Sequence, residues 1–129
     1  MNKQTIIIRV LSIAAAIILI ETLYYKFSAH PDSVLLFTTL GVEPWGRIGL
    51  GIVELITAIL LIVPRTTAIG SVIGLGIISG AIFSHLFIIG INFNNDGGAL
   101  FTLAMVVFVC CAIVAFMKKD ELLALIKRS

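Results

Sequence analysis

Charge is what this chain has least of: only 12% of its 129 residues are charged, nine Lys and Arg against seven Asp and Glu. A soluble domain of this length keeps much of its surface in water, and this composition could not cover that surface with polar groups. A formal charge of +2 is too slight to mark a nucleic-acid surface. Cysteine is confined to Cys110 and Cys111. Adjacent thiols match neither a zinc site nor a C-x-x-C redox pair, which leaves packing as their reading and no metal centre. Also missing are a phosphate-cradling glycine loop, a catalytic triad, a haem-ligand pair, an iron–sulfur cysteine set and any longer internal repeat.

What fills the chain instead is apolar, with 60% hydrophobic residues and a mean hydropathy of +1.17. Lipid is the solvent that accepts such a sequence, and one helical crossing takes about 20 apolar residues. Four runs qualify, at about 5–27, 45–63, 66–90 and 98–117. They predict a single all-α domain, a four-transmembrane up-down-up-down bundle. The first run is expected to be retained, because no small-x-small cleavage site follows Ala14-Ala15-Ala16 at a suitable distance. Between the first two crossings, Pro31-Asp32-Ser33 starts and Gly41 ends a short helix, about 32–40, expected at the outer interface. Trp45 suits the aromatic belt there. The tail, 118–128, carries Leu122, Leu123 and Ile126 on one stripe and is expected on the inner surface.

Loop charge sets the direction. Lys3, Arg9, Arg65, Lys118, Lys119, Lys127 and Arg128 fall on one side, seven of the nine basic residues. The other side has His30, Asp32, Glu43 and Asp96, with Lys26 and Arg47 at helix ends. The positive-inside rule then puts both termini in the cytoplasm. Gly70, Gly74, Gly76 and Gly80 on the third crossing predict close helix approach within the bundle.

The site argument starts from groups that hydrocarbon does not tolerate. An ionisable side chain at membrane depth faces the protein interior and marks a site by default. Glu54 lies nine residues past Trp45, hence about 13 Å deep at 1.5 Å per residue. Arg47, Gly51 and Glu54 recur at i, i+4 and i+7 and share a helical face. Glu21 and Tyr25 stand four apart near the outer end of the first helix, beside Lys26, and His85 lies at matching depth on the third. Asp96, in the turn formed by residues 92–98 with Asn92, Asn94 and Asn95, is placed to cap the fourth helix or to line a pocket mouth. Three readings stay open: a polar pocket in the outer half, a charge network that only locks the fold, and a proton path. The almost wholly apolar half below Glu54 argues against a channel.

The strings Tyr25-Lys26-Phe27, Glu43-Pro44-Trp45-Gly46-Arg47 and Gly51-Ile52-Val53-Glu54-Leu55 resemble the DoxX-like small membrane proteins of bacteria. Pro64-Arg65-Thr66, Gly80-Ala81-Ile82-Phe83-Ser84-His85-Leu86 and Asp96-Gly97-Gly98 resemble the same family's later landmarks, so the similarity covers about 25–111. That resemblance implies a four-helix subunit of a redox-linked membrane system, with Lys26, Arg47, Glu54, His85 and Asp96 at the family's landmark positions. No redox cofactor ligand is intrinsic to the chain.

The resulting expectation is a pocket for a small amphipathic molecule, a quinone or lipid head group. Glu54 and Arg47 would anchor it, with His85, Glu21, Lys26, Tyr25 and Asp96 around them. Its partners would be the lipid bilayer, an oxidoreductase protein and, as an open alternative, a second copy of the chain. The competing expectations are an assembly subunit whose charges hold the helices in register, and a membrane enzyme using Glu54 and His85 as acid and base.

Overall fold

The computed structural model describes residues 2–93 and 96–128. Asn94 and Asn95, part of the turn expected at 92–98, lie outside the described residues. Six α-helices and no strand occur among the described residues. They are α1 (Lys3–Phe27), α2 (Pro31–Thr39), α3 (Trp45–Ile62), α4 (Thr67–Ser84), α5 (Ala99–Met117) and α6 (Lys119–Arg128). A 3₁₀ turn over Pro64–Thr66 joins α3 to α4, and α4 runs on as a π-helical turn over His85–Ile89. Four helical spans are long and apolar enough to cross a membrane: Lys3–Phe27, Trp45–Ile62, Pro64–Ile89 and Ala99–Met117.

Neighbours in the bundle run antiparallel, as contacts at both ends demonstrate. At the end that carries the termini, Gln4 on α1 donates to the Met117 carbonyl at the close of α5, at 3.5 Å. There Arg9 of α1 also donates to the Ile62 carbonyl of α3 at 2.5 Å and to Thr67 Oγ1 of α4 at 3.4 Å. Arg9 thereby caps the open carbonyl end of α3, where a cation is favoured. At the opposite end the last turn of α1 meets the first turns of α3.

Packing inside the bundle is close and small-residue based. Ala15, Ala16, Leu19, Ala58, Leu61, Val107 and Cys111 form a buried centre. Gly74 permits the α4–α5 approach, since a Cβ there would stand 2.9 Å from Cys111 Sγ, and at Gly70 it would stand 2.9 Å from the Leu61 backbone nitrogen. Cys110 and Cys111 are free and buried. The outward faces are apolar in turn: Val10, Ile17 and Ile20 of α1, Ile52 and Ile59 of α3 and Val109 of α5 are exposed. Apolar outside and apolar inside is the pattern of a membrane bundle, whose backbone polar groups are satisfied within each helix.

Candidate functional site

One face of α3 carries the polar chemistry into this apolar frame. Its buried residues, Arg47, Gly51, Glu54, Thr57, Ala58 and Leu61, follow the helical repeat. At Gly51 the missing side chain admits the ring of Phe27, whose Cε1 would be 2.8 Å from a Cβ. This close crossing draws the end of α1 onto α3, so that Lys26 Nζ reaches Glu54 Oε1 at 2.8 Å. Both side chains are largely buried, at 12% and 8% exposure. The ammonium approaches Oε1 at an angle, so the contact is an ion pair in which that oxygen has no well-directed hydrogen-bond donor.

Arg47 makes a separate set of contacts. Its Nε donates to both carboxylate oxygens of Glu43, at 2.9 and 3.0 Å, and its Nη1 donates to the main-chain carbonyl of Lys26. Arg47 is 7% exposed and does not line the cavity described below. Of the two cations near the outer helix ends, Lys26 is therefore the ion-pair partner of Glu54, and Arg47 stands apart from that ion pair. The physical reason is reach, since Glu43 lies one helical turn before Arg47 and the open carbonyl end of α1 lies beside it. The i,i+4 spacing of Glu43 and Arg47 is the sequence signal for this pair.

Above the ion pair the helices part around a cavity of about 600 Å³. Glu21, Tyr25 and Lys26 of α1, Glu54 of α3, His85 after α4 and Asp96 before α5 all line it. The rest of the wall is mainly apolar, with Ile18 and Leu19 of α1, Leu50 of α3, Ile77 of α4 and Leu103 of α5. α2 folds over it, contributing Asp32, Leu36, Phe37 and Leu40. Glu21 and Tyr25 are exposed as well as cavity-lining, which puts the opening along α1.

The remaining polar groups have defined partners. His85 is 5% exposed, stacks on Phe101 with ring centres 5.7 Å apart, and has Nδ1 3.0 Å from the Gly90 carbonyl. A carbonyl only accepts, so Nδ1 carries the proton of this contact. Among the described residues no hydrogen bond or ion pair joins His85 to Glu54. Asp96 accepts from the Gly98 amide at 2.8 Å and from the Leu100 amide at 3.3 Å, so it caps α5 while lining the cavity. Of the seven residues expected at the site, the cavity gathers Glu21, Tyr25, Lys26, Glu54, His85 and Asp96, and leaves Arg47 aside. Phe101 and Asp32 were not foreseen, because a ring stack and a folded-over helix depend on contacts between segments distant in the chain.

Comparison with protein-family models, curated proteins and solved structures yields no match.

Proposed function

We propose that the chain is a DoxX-like protein of the bacterial inner membrane whose cavity binds a small amphipathic molecule of the quinone or lipid-head-group kind. It would serve an oxidoreductase system whose redox chemistry belongs to another protein. The observation that carries this reading is the cavity of about 600 Å³, apolar over most of its wall with one ion pair on its side. Ligand sites typically have such a composition, an apolar enclosure with a few fixed polar groups. The basic residues clustered at the end that bears the termini support cytoplasmic termini and a cavity opening on the opposite, outer side.

A second reading has its own observation. Arg47 ties Glu43 and the Lys26 carbonyl together, and Lys26 ties α1 to Glu54. Such a staple could be the whole purpose of the charges. Acid–base catalysis has less support, because the His85 ring is held by Gly90 and Phe101 rather than by Glu54.

Mass spectrometry of small molecules retained by the purified protein tests the choice. An amphiphile retained by the wild type and lost from Glu54→Gln, measured at a temperature where the variant is still folded, is the result expected of a binding cavity. A wild type that retains nothing, together with a variant that melts early, would leave only the staple.

A further inference from the structure

The charged side chains of the spanning helices that are buried or half-buried have partners within the fold. Lys26 pairs with Glu54, Arg47 with Glu43, and Arg9 with the Ile62 carbonyl and the Thr67 hydroxyl. Asp96, at the head of α5, is held by amides. Glu21 has neither a hydrogen bond nor an ion pair among the described residues. It lies six residues before the end of α1, about 9 Å along the axis. A carboxylate at that depth is costly unless something neutralises it.

Other polar groups of the cavity lining are engaged elsewhere. Thr22 spends its hydroxyl proton on the Leu19 carbonyl at 2.8 Å, and Ser84 spends its own on the Gly80 carbonyl at 2.9 Å. Both residues line the cavity, and neither has a hydroxyl proton free for Glu21. Lys26, the one lysine or arginine of the lining among the described residues, is held by Glu54. The helix starts beside Asp32 and Asp96 offset those two carboxylates. What remains is a net negative lining whose exposed, unpaired carboxylate, Glu21, stands at the opening of an apolar cavity.

We infer that the cavity selects amphiphiles whose head group is a protonated amine, with the ammonium on Glu21 and the hydrocarbon tail in the cavity. This rests on the binding reading above and narrows it, setting aside anionic head groups and quinones. An amine supplies both the missing charge and the missing donors, whereas a quaternary ammonium supplies only charge, an alcohol only a donor, and a carboxylate neither.

Decylamine, decyltrimethylammonium, decanol and decanoate carry these four heads on one tail. The test is a thermal-unfolding titration of the purified protein with each, in a neutral maltoside detergent near pH 7. Decylamine should stabilise at a concentration about tenfold below that required for any of the others, the scale of one charge-assisted hydrogen bond. Glu21→Gln should abolish that preference, and Glu21→Asp should keep it. Neither should lower the melting point without ligand, since Glu21 is exposed and unpaired. Equal stabilisation by the quaternary ammonium or by decanoate, or an unchanged preference in Glu21→Gln, overturns the amine assignment while leaving cavity binding intact. Failure of all four to act on the wild type overturns the binding reading itself.

Discussion

Replacing Glu54 by Gln keeps the side-chain shape and deletes the charge that holds Lys26. The two side chains are 12% and 8% exposed, and removing one partner of a buried pair costs about 3–5 kcal/mol. Two features of this pair reduce the loss. The Gln amide oxygen can turn to accept from Nζ, which returns about 1 kcal/mol. Lys26 is the penultimate residue of α1, so its stem can carry the ammonium outward to the interface. Glu54→Gln should therefore destabilise by about 2–3 kcal/mol. Lys26→Met is the harsher change at about 3–5 kcal/mol, because Glu54, nine residues into α3 from Trp45, has no route to water along its own side chain. Removing both charges in Lys26→Met/Glu54→Leu leaves no orphan and should return most of the lost stability. Reversible unfolding in lipid bicelles, analysed as a double-mutant cycle, measures the coupling. A coupling below about 0.5 kcal/mol, the level of independent sites, would refute a buried Lys26–Glu54 pair.

Further outcomes follow from packing and from the second charged group. Gly70→Ala and Gly74→Ala should each cost about 1–3 kcal/mol by overpacking, with Gly70 the worse because its Cβ would meet backbone rather than a sulfur. Gly76→Ala, with open space around it, should be neutral in the same unfolding assay, and equal effects at all three would contradict the helix approach described. Arg47→Lys removes the guanidinium that bridges Glu43 and the Lys26 carbonyl, and a single ammonium cannot reproduce that bridge. A loss of about 1–3 kcal/mol is expected in the unfolding assay. Because Arg47 lies off the cavity, any ligand retained by the wild type should still be found in the variant by mass spectrometry.

Much of the architecture was legible in the residue order. Hydrocarbon length and the lack of charge sufficed to place four spans, and the expected bounds of 5–27, 45–63, 66–90 and 98–117 differ from the observed helices by a few residues. Pro31 and Gly41 marked α2 well because turn chemistry is local. The depth of Glu54 followed from helical rise, and the shared face of Arg47, Gly51 and Glu54 from helical periodicity. These properties need only one segment at a time.

Partnership was another matter. That Glu54 takes Lys26 rather than Arg47 depends on Phe27 entering the space at Gly51 and bringing the end of α1 against α3. The cavity exists because the helices part above that crossing while α2 folds back over them, a consequence of packing geometry and not of any single helix. The unpaired state of Glu21 is likewise a property of what lies around it. Charge, depth and helical face are set along the chain, but which charge neutralises which is decided across it, because Coulomb attraction and desolvation depend on distances that only the assembled bundle supplies.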